Sequence, residues 1–278
     1  MTLSFIKNFE RAVYKKKLSL LEDFDLSQYI ENSQVKIVRE PFPHFVIDNF
    51  FKDDFAQKIQ EMAYERLNRG LSEGYDNRRF TPFLDLKGEF EYDGYKYPIK
   101  LKEDRDELPV FFSLAWNNFF SKAFNQPTST ATSVSFHYHP VGDRTGFIHH
   151  DYVAHPFSRE DRLPNGVIYR TREGFPPRED YYDEARIIAL LYYFGIDDWV
   201  PGDGGGTGIY KKGEQFPCEV SEPLHNRLFA FQISPKSFHA FQTNRKPRFS
   251  IVQWFHIDPE WCEKRYGEVR RSNKQNGQ

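Results

Sequence analysis

Apolar residues recur at helical spacing in three segments of the first half of the chain, residues 3–13, 53–70 and 109–123. Such spacing places them on one face and predicts an amphipathic helix in each segment. The faces comprise Leu3, Ile6, Phe9 and Val13; Phe55, Ile59, Met62, Ala63 and Leu67; and Phe112, Trp116, Phe119, Phe120 and Ala123. Residues 71–107 show no clear period and are predicted to be loop and short strands. We expect these helices to brace a sheet.

From Thr132 onward the pattern changes to short β-type runs separated by turn residues. The runs are residues 133–139, 147–152, 186–194, 208–211, 227–233, 239–243 and 249–256. Many short strands of this kind are typical of an antiparallel sandwich or barrel. A charged insert, residues 153–185, separates the second run from the third, and a loop of that length is usually functional or disordered. Its arginines are Arg159, Arg162, Arg170, Arg172 and Arg178.

Length and composition favour one β-rich domain. A chain of 278 residues can bury a sizeable core, and its aromatic content of 17% suits packing on pleated sheets. We predict a single domain over residues 1–278. Within it, residues 1–130 form a helix-containing support region, residues 131–257 a core that carries the candidate chemistry described below, and residues 258–278 a C-terminal tail that frays from about Lys264.

Charge and cysteine content narrow the possible partners and compartment. The formal net charge of −2 provides no field that would attract nucleic acid or an anionic membrane. Cys218 and Cys262 are too few for a disulfide framework and are not spaced as a zinc site. No apolar stretch is long enough for a signal peptide or a membrane span. These features predict a cytoplasmic protein; the oligomeric state remains open.

The candidate chemistry begins with a histidine and a carboxylate two residues apart. His149 and Asp151 would project to the same side of an extended strand, whereas His150 would face away. Two histidines and one carboxylate with open coordination positions suit non-haem Fe(II). We select His239, at the start of a later β-type run, as the third ligand. His137 and His139 also share a face and are assigned structural or exposed roles.

A candidate anion site follows on the last strong β-type run, where Arg248, Ser250 and Val252 share one face. An inward-facing arginine needs an anionic partner, because a buried unpaired guanidinium is very costly. A dicarboxylate cosubstrate would provide that partner. Arg248 would hold one carboxylate through two parallel hydrogen bonds, and Ser250 would add a donor.

The order and spacing of these motifs resemble the Fe(II)- and 2-oxoglutarate-dependent dioxygenases, in particular the prolyl-4-hydroxylase-like branch. The similarity extends over residues 133–256, with a further similar stretch at residues 41–48. In chain order it rests on Tyr138 with Pro140, Gly142 and Asp143; His149-x-Asp151; residues 186–194; Trp199 with the glycine turn 204–208; Pro223 with residues 226–231; His239; and Arg248-x-Ser250.

This resemblance implies an α+β, mainly β fold: a double-stranded β-helix, or jelly-roll, braced by the N-terminal helices. It also implies Fe(II), 2-oxoglutarate as cosubstrate, and O2. The implied iron ligands are His149, Asp151 and His239, and the implied contacts to 2-oxoglutarate are Arg248, Ser250 and the Tyr138 hydroxyl. Related halogenases carry a small residue where this chain has Asp151, so hydroxylation with release of succinate and CO2 is expected. Desaturation and ring chemistry use the same ligands and stay open.

Three functions are compatible with these features. The first is hydroxylation of a polar small molecule, such as an amino acid, a sugar derivative or a biosynthetic intermediate. The second is a protein or peptidyl-residue hydroxylase of the prolyl type. The third is a non-catalytic β-sandwich binding module, against which the intact triad argues. The arginines of the insert suggest a lid over a polar, anionic substrate.

Overall fold

The computed structural model describes residues 24–84, 90–170, 181–196 and 198–272. Its helices are α1 (Asp53–Asn68), α2 (Lys102–Glu107), α3 (Leu114–Phe124) and α4 (Pro259–Tyr266). Its strands are β1 (His44–Ile47), β2 (Thr81–Leu84), β3 (Phe90–Pro98), β4 (Ala131–His139), β5 (Val153–Ser158), β6 (Ile168–Tyr169), β7 (Tyr181–Phe194), β8 (Thr207–Tyr210), β9 (Glu219–Ser221), β10 (Arg227–Gln232), β11 (Phe238–Phe241), β12 (Arg248–Ile257) and β13 (Arg270–Arg271). The helix predicted over residues 3–13 lies outside the described residues.

Two sheets form the centre of the fold. The larger has the strand order β1-β10-β7-β12-β4-β3-β2, with β5, β6 and β13 attached to it, and the smaller has the order β11-β8-β9. Along these two orders, neighbouring strands are antiparallel. The sheets meet where the Tyr193 hydroxyl donates to Thr207 Oγ1 at 2.8 Å and where the Phe231 and His239 rings are 4.7 Å apart. The mainly β, jelly-roll class is confirmed.

The two faces of the large sheet have different chemistry because successive residues of a strand point to opposite sides. The outer face packs against the helices: the Phe255 ring is 5.0 Å from Phe120 of α3, and Trp116 Nε1 donates to Gln253 at 2.8 Å. The inner face, which the small sheet covers, carries polar residues. On β4 and β12 these are Ser135, His137, His139, Arg248 and Ser250, all buried.

The prediction of a helix over residues 53–70 is confirmed by α1, whereas the prediction for residues 109–123 and the absence of a predicted helix in residues 71–107 need correction. Residues 109–123 do not form one helix, because a 3-10 turn (Pro109–Phe112) ends before Ser113. The Ser113 hydroxyl accepts from the Trp116 amide at 3.1 Å and begins α3 as its N-cap. Helix α2 was not predicted. Its six residues are too few to show a period, and its buried Asp104 is held by Arg66 of α1 at 2.8 Å.

Strands β4, β7, β8, β10, β11 and β12 lie where β-type runs were predicted, but two segments differ. Residues 147–152 form no strand, and their backbone is joined to the small sheet by a bridge between His149 and His239. The insert is not one long loop, since β5 pairs with β7 and β6 pairs with β4. Residues 171–180, with two of its arginines, lie outside the described residues, so the lid remains a hypothesis.

The C-terminal tail forms α4, whose Cys262 is buried against the core, so the fraying predicted from Lys264 is wrong as far as Tyr266. Beyond α4, β13 pairs with β5. None of the helices in the described part of the chain has the length and apolar character needed to cross a membrane.

Candidate metal and cosubstrate site

The structure brings His149, Asp151 and His239 together, with their candidate ligand atoms within 4.8 Å of one another. Nε2 of His149 is 3.9 Å from one Asp151 carboxylate oxygen, and Nε2 of His239 is 3.8 Å from the other. Two reciprocal backbone hydrogen bonds of 3.1 and 2.8 Å join the two histidines. Although the His-x-Asp segment is not a strand, this pairing fixes it beside β11.

Backbone carbonyls orient both imidazole rings. His149 Nδ1 donates to the Phe147 carbonyl at 2.9 Å, and His239 Nδ1 donates to the Ser237 carbonyl at 3.0 Å. Because a carbonyl only accepts, the proton sits on Nδ1 and each Nε2 keeps a lone pair for a metal. Burial and the nearby His149 lower the pKa of His239 to about 4, so its imidazole is neutral at physiological pH. This donor set fits Fe(II).

Asp151 is held by two residues that were not selected from the sequence. Arg186 Nη1 donates to one carboxylate oxygen at 2.9 Å, and Trp254 Nε1 donates to the other at 2.6 Å. The Arg186 guanidinium also lies over the Trp254 ring at 3.9 Å. Burial alone would raise the pKa of Asp151, but the charge of Arg186, the neighbouring histidines and the Trp254 hydrogen bond hold it well below its usual range. The carboxylate is therefore ionised, as a metal ligand must be.

The candidate cosubstrate pocket surrounds Arg248, which is 3% exposed. Its guanidinium lies 5.0 Å from the centre of the Tyr193 ring and 5.4 Å from that of Phe241. Ser250 lies opposite Tyr193 in the sheet register, and its buried Oγ has no hydrogen-bond partner among the described residues. A buried hydroxyl without a partner costs free energy unless a ligand satisfies it. Arg248 and Ser250 thus fit a carboxylate of 2-oxoglutarate.

The structure does not bring Tyr138 into this pocket, which contradicts its predicted contact with the cosubstrate. Tyr138 lies opposite Phe249 in register, with ring centroids 4.7 Å apart, on the outer face of the sheet. Arg248 and Ser250 are the neighbours of Phe249 on β12, so their side chains point to the inner face. Tyr193 is the tyrosine that lies opposite Ser250 on the inner face.

His137 and His139 line the inner face instead, opposite Ser250 and Arg248 respectively. Both are buried, and burial lowers the pKa of both, with the charge of Arg248 contributing at His139. The His139 ring stacks on Phe241 at 3.9 Å, so it forms one wall of the pocket. The structural roles assigned to these histidines are compatible with this placement, but neither ring is exposed.

His150 lies outside the triad. Its ring contacts Phe238 at 5.3 Å and Tyr152 at 6.5 Å, and it is half-buried. This is the position expected for the residue between two ligands that point the other way.

Residues 136–256 match the model of the 2OG-Fe(II) oxygenase superfamily. This region belongs to that superfamily. The matched residues contain both candidate histidine ligands, Asp151, and the Arg248 pocket. The match indicates a 2-oxoglutarate-dependent dioxygenase, and the superfamily implies Fe(II), 2-oxoglutarate and O2. The resemblance found in the sequence is confirmed.

Solved structures similar to this chain include two prolyl hydroxylases. A Pseudomonas putida prolyl-4-hydroxylase has a TM-score of 0.53 and 14% identity, covering 87% of this chain and 99% of the other. A Trichoplax adhaerens prolyl hydroxylase, solved with a hypoxia inducible factor peptide fragment, has a TM-score of 0.50 and 12% identity, covering 100% and 98% of the two chains. At these identities the similarity establishes the shared fold.

Proposed function

We propose that this chain hydroxylates an unactivated C–H bond of an organic substrate, with His149, Asp151 and His239 as the iron ligands. The observation that carries this proposal is the convergence of two Nε2 atoms and one ionised carboxylate within 4.8 Å, inside a region of the oxygenase superfamily. Fe(II) bound here would let O2 act as the oxidant: one oxygen atom would enter the hydroxylated product, and the other would enter succinate as 2-oxoglutarate loses CO2. The protein itself supplies binding, orientation and exclusion of water.

Each part of the site has a defined task in this proposal. The two histidines bind through Nε2 because their Nδ1 protons are engaged by carbonyls. Arg248 and Ser250 bind the carboxylate of 2-oxoglutarate that is remote from the metal. Burial of Arg248 between two rings strengthens that ion pair, because charge interactions are stronger away from water.

For the substrate, a peptidyl residue is the first candidate. Phe147 and Ile148, the two residues before the ligand His149, are 49% and 37% exposed, and the Phe147 ring is 4.7 Å from His149. Exposed apolar side chains beside the candidate ligand offer a contact surface for an extended chain. The two similar structures are both prolyl hydroxylases, which supports a peptidyl residue as the substrate.

A polar small molecule is the second candidate. The observation that favours it is a group of basic side chains next to Asp151, on β5, β7 and β12, which would suit a compact anionic substrate. Both candidates require the same iron and cosubstrate chemistry.

Succinate release from 2-oxoglutarate, with and without Fe(II), tests the proposal. The wild-type protein should form succinate only when iron is added, including slow uncoupled turnover without substrate. His149→Ala and Asp151→Ala should reduce the rate to background, because each removes one ligand. His150→Ala is the matched control, since its ring lies against Phe238 and Tyr152. Full activity in either ligand variant would refute the assignment.

A further inference from the structure

A second group of polar side chains, one of them buried and three half-buried, lies beside the candidate iron site. Its members are basic and come from β5, the segment after β6, β7 and β12. They are His155, Arg170, Arg186 and His256. Arg186 connects the group to the metal site, because the same guanidinium donates to Asp151 at 2.9 Å.

Backbone pairing places these residues side by side. His256 lies opposite Arg186 in the register of β12 and β7, and β5, which carries His155, pairs with the same strand β7. The Arg170 amide donates to the Thr132 carbonyl at 3.1 Å. His256 Nδ1 donates at 3.2 Å to the carbonyl of Ala131, which is the neighbour of Thr132 in the chain. The positive charges of Arg186 and Arg170 accordingly act on both imidazoles.

Three of the four imidazole nitrogens in this group have no hydrogen-bond partner among the described residues. His256 is 0% exposed, and its Nε2 has no hydrogen-bond partner among the described residues. Both ring nitrogens of His155 are also buried and without a partner in that part of the chain. Leaving such atoms unsatisfied costs free energy, which a bound ligand would recover. Burial first, and then the two guanidinium charges, lower the pKa of both histidines.

The chemistry of the group defines what it would bind. Two guanidinium groups attract an anion, and His155 has one N–H to donate in either neutral tautomer. His256 uses its Nδ1 proton on a carbonyl, so its neutral Nε2 accepts a hydrogen bond from an O–H or N–H. His155 and Arg170 are half-buried and give the group a side toward solvent.

We propose that the substrate binds here through a carboxylate or phosphate group that has an O–H or N–H beside it. This inference rests on the proposed hydroxylase function, because it assigns the group to the substrate of that reaction. An anion bound at Arg186 would hold the adjoining carbon atoms next to the iron ligand Asp151, which orients one C–H bond toward the metal.

Sulfate binding tests the subsite independently of turnover. Sulfate would be titrated by calorimetry at constant ionic strength, with Mn(II) and N-oxalylglycine present so that the Arg248 pocket is occupied. We expect saturable binding whose Kd rises at least tenfold in His155→Phe and Arg170→Met, and less in Arg170→Lys, which keeps the charge. Arg159→Met is the matched control, because Arg159 is exposed and stacks on Tyr182.

Equal sulfate affinity in all these proteins, or no saturable binding in the wild type, would overturn the proposal. The thermal midpoint of each variant identifies one that fails to fold, and Arg170→Lys then carries the comparison. Loss of succinate formation with intact sulfate binding would count against the hydroxylase function alone.

Competition against bound sulfate then identifies the source of the anion. Displacement by glucose 6-phosphate assigns the subsite to a small molecule, and displacement by the blocked peptide acetyl-Gly-Asp-Gly-amide assigns it to an acidic residue of a peptide. Displacement by neither would overturn its assignment to a substrate anion.

Discussion

Asp151 receives a hydrogen bond on each carboxylate oxygen, from Arg186 and from Trp254. These two donors fix the carboxylate plane, and they keep the group ionised in a buried position. A ligand fixed in this way needs little reorganisation when a metal binds. Residues that orient a ligand from outside the coordination sphere typically change metal affinity or activity by about 10–100-fold when they are mutated.

Trp254→Phe should therefore weaken metal binding by about tenfold, because it removes the indole N–H but keeps an aromatic ring under Arg186. The measurement is a Mn(II) titration of the apoprotein. Trp261→Phe provides the control, since Trp261 packs on Tyr266 in α4, outside the site. An unchanged Kd for Mn(II) would show that the Trp254 hydrogen bond does not support the ligand.

Sequence reasoning at this scale predicted the three candidate ligands that the structure brings together, but it placed Tyr138 in the cosubstrate pocket, where the structure has Tyr193. The His-x-Asp spacing and the later His239 were sufficient for the triad, because few other residues could complete it. Alternation along β4 also placed Tyr138 opposite to His137 and His139. What alternation could not give was the register between strands, which sets Tyr193 rather than Tyr138 beside Ser250. Alternation along β12 also places Trp254 on the same face as Arg248. That pattern could have predicted from the sequence that the Trp254 indole lies near Asp151, to which it donates.

At the scale of elements, strands with strong apolar patterns were predictable and those of the insert were not. Strands β4, β7, β10 and β12 carry long apolar or aromatic runs because each is buried in the centre of the large sheet. In contrast, β5 contains His155 and Pro156, and its pairing with the first half of β7 is set by long-range contacts. Strand propensity reflects the surroundings of a residue, so a local pattern does not report such pairing.

The glycine turn before β8 gives a test of an element. Gly204 has φ +70°, and a Cβ there would lie 2.0 Å from the Thr243 carbonyl oxygen. The glycine turn 204–208 was among the motifs of the resemblance, and its close approach to the backbone at Thr243 explains the need for glycine. Gly205 donates to that same carbonyl at 3.0 Å, which joins the turn to the segment that leads into β12.

Gly204→Ala should lower the free energy of unfolding by roughly 3 kcal/mol, combining the cost of positive φ with displacement of the Thr243 backbone. Gly213→Ala is the matched control, because Gly213 has φ +85° but no atom within 4 Å of an added Cβ. It should cost only about 1 kcal/mol for the backbone conformation. Urea unfolding of the three proteins measures both values. Equal losses in the two variants would show that the close approach at Gly204 has no energetic consequence.

For the whole molecule, stability depends on burying ionisable groups as well as apolar ones. Glu184 of β7 is 7% exposed, and burial raises its pKa to about 7, with the charge of Asp258 adding to the effect. In the unfolded chain this carboxyl returns to an ordinary pKa of 4.5. Between these values the folded protein keeps a proton that the unfolded chain has released.

The folded state therefore binds more protons in this range, so the stability contributed by neutral Glu184 is full below pH 4.5 and is lost as the pH rises through about 7. The free energy of unfolding changes with pH by at most about 1.4 kcal/mol per pH unit for one such group.

The Glu184→Gln variant has no ionisable group at this position and should not show this loss. Between pH 5 and pH 7.5 the wild type should lose on the order of 3 kcal/mol relative to the variant, measured by urea unfolding of the metal-free proteins. All other titrating groups are common to both proteins and cancel in the difference. Glu160→Gln removes an exposed carboxyl and should follow the wild type. Parallel pH curves for wild type and Glu184→Gln would show that Glu184 is ionised in the folded protein at no cost.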